Sequence, residues 1–287
     1  MFLKGDFHIH SNASDGKYSP SQIINMAVKE NVDILSLTDH DTTDGLDIAI
    51  ESGRNLNLKV IPGIELSTTY KGEKIHLLGY FKNNEFNDPT FQKFLKNIKD
   101  YRIYRGEKII HNLQKYFNIN LNYNKILRES KGIIARPVIA KAIHDSYNYD
   151  WNYIFDKFIG DSSPAYIPNK HISLQDGISM LSSINSLIVL AHPILIKKVS
   201  IDEILKFSIH GIECIYPLNT TKNTEYFINK ANQYNKIISA GSDFHGMCKK
   251  DNSHGNYIGE VFLNNKYIDI FLKKIKELSN YKMYPME

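Results

Sequence analysis

The chain has 287 residues, 42% of them hydrophobic and 23% charged, which is ordinary globular usage and excludes a fibrous or disordered protein. Such a length corresponds to one large domain or two modest ones and supports a core without covalent staples. Lys and Arg number 35 against 31 Asp and Glu, a net charge of +4 that is too small for coating nucleic acid by bulk charge. Two cysteines, Cys214 and Cys248, exclude a disulfide framework and a thiolate zinc cluster, whereas eleven histidines supply many imidazole metal ligands.

The elements read as follows in chain order. Met1 to Asp6 leads directly into a short strand, Leu3 to His8, with none of the roughly 7–15-residue apolar run that a signal peptide needs. No run approaches the roughly 18 apolar residues of a membrane span, so the sequence predicts a soluble cytoplasmic protein with reduced thiols, no membrane association and no obligate protein partner. Ser19 caps a helix that has Pro20 at its first position and runs to Glu30. Val32 to Leu37 reads as a buried parallel strand running into Thr38-Asp39-His40-Asp41. A helix to about Asn57 follows, then a strand, Lys59-Val60-Ile61, ending at Pro62-Gly63-Ile64-Glu65, and another from Lys74 to Tyr80.

From Asp88 to about Gly160 the apolar spacing becomes helical, through Phe91, Phe94, Leu95, Ile98 and Tyr101, then Ile109, Ile110 and Leu113. This region is read as a helical insertion over 87–160 within a domain made of 1–86 and 161–287. It is basic, with ten Lys/Arg between Lys93 and Lys131 against Asp100, Glu107 and Glu129. A solvated helix face accounts for most of those charges; a patch facing an anionic substrate is the sharper reading.

Strand–helix alternation then returns. Ser173 caps a helix to about Ser183, and Leu187 to Leu190 is a strand ending at Ala191-His192-Pro193. Gly211 to Tyr216 is a strand, Thr220 to Tyr234 a helix, and Ile237 to Ala240 a strand ending at Gly241-Ser242-Asp243-Phe244-His245-Gly246. Ile258 to Phe262 reads as a strand, and a last helix closes the chain.

Nearly every predicted strand ends in, or leads into, a His, Asp or Glu: His8 and His10, His40, Glu65, His192, then Asp243 and His245, with His76 inside the fourth. In a parallel α/β barrel such positions collect at one face. Imidazoles and carboxylates gathered there repel or desolvate one another unless paired, and bound divalent ions resolve that conflict. A nitrogen-and-oxygen donor set suits Zn, Mn or Fe. His8 and His10 alternate onto one side of an extended chain, so both can face one ion. Each piece alone also has a bland reading, Asp15-Gly16 as a turn or His192-Pro193 as a core histidine; their recurrence at successive strand ends carries the argument.

At these residues the chain resembles the polymerase-and-histidinol-phosphatase, or PHP, domain family. The matching segments are Asp6-Phe7-His8-Ile9-His10-Ser11, Ser14-Asp15-Gly16, Leu37-Thr38-Asp39-His40-Asp41-Thr42, Ile61-Pro62-Gly63-Ile64-Glu65-Leu66-Ser67, His76-Leu77-Leu78-Gly79-Tyr80, Leu190-Ala191-His192-Pro193 and Gly241-Ser242-Asp243-Phe244-His245-Gly246. Ala135-Arg136-Pro137 resembles the Arg-Pro motif of the stand-alone phosphoesterase branch, although Val138 stands where relatives often have His. Pro217-Leu218-Asn219-Thr220 likewise lacks a histidine that relatives often carry.

The resemblance implies an α/β fold, a distorted (β/α)7 barrel with an inserted mainly helical subdomain, and a site for three divalent metal ions (Mn, Fe or Zn). Carried over position by position, His8, His10, Glu65 and Asp243 hold one metal; Glu65 bridges to a second, completed by His76 and His192; Asp15, His40 and His245 hold the third. The implied activity is hydrolysis of a phosphate monoester on a small phosphorylated metabolite or nucleotide, of the nucleoside 3′,5′-bisphosphate kind, by a metal-bridging hydroxide. Arg136 offers a planar fork to phosphate oxygens, and Lys170 is a weaker phosphate candidate. The general acid is left open between a metal-bound water and one of the histidines.

Competing readings are a phosphodiesterase on a cyclic phosphate, a 5′→3′ exonuclease on short RNA, and, from another class, a non-catalytic nucleic-acid-binding module. The complete ligand set argues against the last. Amide hydrolysis lacks a lysine suited to bridging metals as a carbamate. His111, His144, His171, His210 and His254 receive no role from the sequence.

Overall fold

The structure, a computed structural model, describes residues 2–130, 134, 136–168, 170, 172–246 and 254–278. The chain divides into two compact units, 1–92 with 171–287 and 93–170.

The first unit is built on β1 (Gly5–Ile9), α1 (Pro20–Lys29), β2 (Ile34–Leu37), α2 (Leu46–Asn55), β3 (Lys59–Tyr70) and β4 (Glu73–Tyr80). Ser19 caps α1 through a capping box with Gln22, and Pro20 stands at the first turn where its missing N–H costs nothing. β1 and β2 are short and buried on both faces, as strands between helices must be. β1, β2 and β3 pair in parallel.

Two sequence expectations change here. β3 does not end at Pro62-Gly63; it continues to Tyr70 and returns as β4 in an antiparallel hairpin, register Gly63↔Tyr80 to Tyr70↔Glu73. The turn is Lys71-Gly72, both at positive φ (49° and 76°), the backbone a tight two-residue hairpin needs, and two residues leave no room for a crossover helix. The barrel is therefore mixed, and Glu65 sits inside a long strand instead of at a strand end. Pro62 is tolerated because it falls at the last parallel pair with β2, opposite Leu37.

α3 (Pro89–Phe117) follows, a single 29-residue helix. It is followed by α4 (Tyr123–Glu129), α5 (Arg136–Tyr147), α6 (Trp151–Ile154) and a π-helical turn over 155–159. The second unit has its own apolar cluster, with Ile109, Leu113, Ile139, Ile143 and Ile154 fully buried, so helical spacing here does produce a packed helical body.

The remaining elements complete the barrel: β5 (Ile172–Ser173), α7 (Leu174–Ser183), β6 (Leu187–Leu190), α8 (Ile201–Ile204), β7 (Gly211–Ile215), α9 (Thr221–Gln233), β8 (Ile237–Ala240) and α10 (Asn265–Leu278). The sheet order is β1-β2-β3-β4-β6-β7-β8, with β5 beside β3. β4 pairs antiparallel to both neighbours, and β6, β7 and β8 are parallel. The segment after β8 returns to β1: Asp243 N donates to His8 O at 2.7 Å and His10 N to Phe244 O at 3.0 Å, nearly closing the barrel. At Ile258–Phe262 there is no strand. Gly259 turns there at φ +75° with its N–H donating to Asp6 at 2.7 Å, and only Leu263 bridges to Gly5. No helix among the described residues is long and apolar enough to cross a membrane.

Candidate metal centre

β1 and the residue after it carry His8 and His10 into the barrel, both fully buried. β3 supplies Glu65 and the turn after β8 supplies Asp243, exposed by only 1% and 2%. His10 Nε2 lies 3.1 Å from Glu65 Oε2 and 3.1 Å from Asp243 Oδ1; His8 Nε2 lies 3.3 Å from each. The two Nε2 atoms are 3.1 Å apart.

Glu65 is the hub. Its Oε1 faces His76 Nδ1 at 2.8 Å and His192 Nε2 at 2.9 Å, while Oε2 faces His40 Nδ1 at 3.0 Å as well as the β1 pair. One carboxylate thus looks into two donor groups. A third lies around Asp15, whose oxygens stand 3.3 Å from His245 Nε2, 3.7 Å from His10 Nδ1 and 3.8 Å from His40 Nε2. The nine side chains singled out in the sequence as ligands therefore converge, although β4 brings His76 in from an antiparallel strand.

The donors fit cations, as four buried atoms show. Glu65 Oε2, Asp243 Oδ1, His10 Nδ1 and His40 Nδ1 have no hydrogen-bond partner despite close neighbours. Buried polar atoms are rarely left unpaired, because losing water without replacement is costly. Around them, donor atoms of His8, His10, Glu65 and Asp243, of His10, Asp15, His40 and His245, and of His40, Glu65 and His76 each lie within 4.8 Å of one another.

Charge tells the same story. Burial would raise the Glu65 carboxyl, but the imidazoles of His40, His76 and His8 hold it well below the usual carboxylate range. Burial likewise opposes ionisation of Asp243, and His8, His10 and His254 overcome it. Burial would lower His10, yet Asp243 and Glu65 push it up to about 10. His40, where burial dominates, falls to about 3. Protons on imidazoles here balance carboxylates that a metal ion would balance better.

Residues outside the sequence reading orient these ligands. Glu213, on β7, accepts from His8 Nδ1 through Oε1 at 2.9 Å and from His192 N through Oε2 at 2.7 Å. Committing Nδ1–H to a carboxylate leaves His8 Nε2 for the cage. Tyr216 Oη and His254 Nδ1 donate to Asp243 Oδ2 at 2.8 and 2.9 Å, leaving Oδ1 inward. His245 Nδ1 donates to Asp243 O at 2.8 Å. Asp39 accepts from Ser11 N, Ser11 Oγ and Ser14 Oγ at 2.6–2.7 Å and so fixes the loop carrying Asp15. His192 and Asp243 both have positive φ (25° and 51°), a conformation non-glycine residues adopt where the surroundings enforce it. Gly241 lets the chain pass: a Cβ there would meet His8 Cβ at 2.1 Å. Glu213 had a sequence signal, a lone acid in the apolar Gly211-Ile212-Glu213-Cys214-Ile215 run; His254 had none. Cys214 is buried, with its thiol pushed up by burial and by Glu213, and belongs to the strand core.

Arg136 and Lys170 belong to the second unit. Arg136 opens α5, and its Nη1 donates to Asp161 Oδ1 at 2.6 Å. Lys170 is exposed. Ala135, His171 and Cys248 lie outside the described residues.

The sequence profile of the PHP domain matches residues 6–161, more than half the chain, and the chain belongs to the PHP domain family. It is a metal-dependent phosphoric ester hydrolase with the barrel of that family. A 5′-3′ exoribonuclease of Haemophilus influenzae is 26% identical over 256 residues, covering 86% of this chain and 92% of its own. A 3′,5′-nucleoside bisphosphate phosphatase of Chromobacterium violaceum is 26% identical over 250 residues, 84% and 86%. A solved protein structure from Bifidobacterium adolescentis superposes with TM-score 0.77 at 23% identity over 94% of this chain and 96% of that one, so the two share a fold.

Proposed function

We propose that the centre holds three divalent ions (Mn, Fe or Zn) and hydrolyses a phosphate monoester on a small phosphorylated metabolite or nucleotide of the nucleoside 3′,5′-bisphosphate kind. The observation that carries this reading is the set of unpartnered atoms on Glu65, Asp243, His10 and His40, in a cage that contains no thiolate among the described residues. Bound divalent ions would activate water near neutral pH and neutralise charge on the phosphoryl oxygens. His8, His10, Glu65 and Asp243 hold the first; Glu65, His76 and His192 the second; Asp15, His40 and His245 the third. Glu213 keeps His8 in the metal-binding tautomer, and Tyr216 and His254 hold Asp243 with one oxygen inward. Arg136 binds a phosphate oxygen pair, with Lys170 as an auxiliary cation. The protein works in the cytoplasm on a diffusible substrate and needs no protein partner.

A second reading, phosphodiester cleavage of a cyclic phosphate or of short RNA from its 5′ end, is favoured by the exoribonuclease relative. The experiment is a metal-reconstituted assay of released phosphate or nucleotide with a nucleoside 3′,5′-bisphosphate, a cyclic phosphate and a 5′-phosphorylated oligoribonucleotide. Fastest turnover of the bisphosphate is expected. Cleavage of only the cyclic phosphate or the oligonucleotide would establish the second reading, and no turnover of any ester by metal-loaded protein would sink both.

A further inference from the structure

Away from the metal ligands, the first unit holds a surface cavity of about 320 Å³. Three segments build it: the last turn of α2, the first residues of β3 and the loop after β4. Each contributes one exposed cation, Arg54, Lys59 and Lys82 respectively, and the loop adds the amides of Asn83 and Asn84. Leu58 and Val60, both buried, give the cavity an apolar wall. The chemistry assigned to the metal centre uses none of these residues.

The charge is one-sided. No carboxylate lines the cavity, and none of the three cations forms an ion pair among the described residues. Glu85, just beyond the loop, is turned onto the Asn83 backbone and accepts its N–H at 2.6 Å. The end of α2 does not oppose an anion with bare acceptors either. The carbonyls of Ser52, Gly53 and Arg54 accept N–H groups of residues 56–58. Three like charges brought to one concavity by separate elements repel one another, and an anion seated between them reverses that cost. A volume of this size falls at the lower end of the roughly 300–1,000 Å³ of small-molecule sites.

We propose that this cavity binds a small organic phosphate, with its dianion held by Arg54, Lys59 and Lys82 and its apolar or planar body against Leu58 and Val60. The guanidinium fork takes a pair of phosphate oxygens, and the two ammonium groups act as point charges beside it. The molecule bound here is not the ester being hydrolysed. Lys59 opens β3 six residues before Glu65, which is roughly 20 Å of extended strand. Lys82 lies six residues beyond His76, past the other end of β4 from the hairpin turn. The site therefore goes beyond the phosphomonoesterase reading and stands whether or not that reading does.

The test is hydrogen–deuterium exchange of the full-length, metal-loaded protein titrated with phenylphosphonate, whose C–P bond a phosphoric ester hydrolase leaves intact, and separately with inorganic phosphate. Both probes also reach the metal centre, so the readout is local: protection of segments 54–60 and 82–84. That protection should saturate, and at lower concentration with phenylphosphonate, because only the phenyl ring uses the apolar wall. In Lys59→Glu/Lys82→Glu it should require at least about tenfold more probe. Metal content and melting temperature should match the wild type, since both sites are exposed. Lys82→Gln, a milder change, should shift the midpoint by about threefold and serves if the double variant does not fold. The proposal is overturned if protection is confined to the metal-bearing segments 8–15 and 243–245. It is equally overturned if the variants keep the wild-type concentration dependence at 54–60 and 82–84. Equal midpoints for the two probes would remove the organic body and leave a plain phosphate site, contrary to the class assigned.

Discussion

Glu213 Oε1 accepts a hydrogen bond from His8 Nδ1 at 2.9 Å, inside a barrel where both side chains are fully buried. The other oxygen of the same carboxylate takes the backbone N–H of His192 at 2.7 Å. A single acid on β7 thus fixes the imidazole tautomer on β1 and the backbone of a ligand after β6. Glu213→Gln should weaken metal binding by roughly 10–100-fold, the usual cost of losing such a partner, because an amide can donate to His8 and invert its tautomer. Titration of the variant against a competing chelator measures this; unchanged affinity would remove Glu213 from the centre.

Glu65→Gln should lower metal content by at least one ion per chain and activity by roughly 100-fold or more, since both oxygens face donor groups. Elemental analysis and turnover on one preparation decide it. The circular dichroism spectrum should stay native-like, because among the described residues the Glu65 side chain bonds imidazoles and no backbone group.

Metal loading should release protons. His10 stands at about 10 in the absence of metal, because Asp243 and Glu65 outweigh burial, so at neutral pH it carries a proton that an ion must displace. Apparent metal affinity should therefore rise with pH below that value, by about tenfold per unit for each proton displaced. Calorimetry in buffers of different ionisation enthalpy counts the protons, and a count of zero contradicts His10 as a ligand. Saturating metal should also raise the melting temperature, a hundredfold excess over Kd being worth about 2.7 kcal/mol.

His210 gives a pH signature remote from the metals. Its Nδ1 accepts the N–H of Ile188 at 3.0 Å, and burial, then Lys274 and Lys236, lower it to about 4. The unfolded chain takes up a proton near the ordinary value of 6.5 and the folded chain does not until about 4. The stabilisation is thus fully present above 6.5 and lost as pH falls toward 4, on the order of 2 kcal/mol after allowing for partial exposure. His210→Gln should flatten the pH dependence of denaturant midpoints across that window. An unchanged slope refutes the assignment.

Much of this protein was legible in the order of its residues. Ser19-Pro20, Ser173 and Thr220 announced helix starts that the structure places at Pro20, Leu174 and Thr221, because caps act on their own first turn. His and carboxylate residues at recurring strand ends marked where donors gather, since a barrel collects such ends. The Lys71-Gly72 reversal carries only a two-residue signal, too faint in local pattern to mark β4 as antiparallel. Local pattern also misread Ile258 to Phe262 as a strand, where Gly259 turns and donates to Asp6.

Tertiary structure alone decided which groups stand behind the ligands. His8 and Glu213 are 205 residues apart, and nothing near either names the other. The meeting of Arg105 and Arg136 at the Tyr166 ring, 5.9 and 5.6 Å from its centroid, was equally invisible. Propensity and capping are short-range forces written along the chain, whereas the direction of a lone pair depends on which distant strand barrel closure sets beside it.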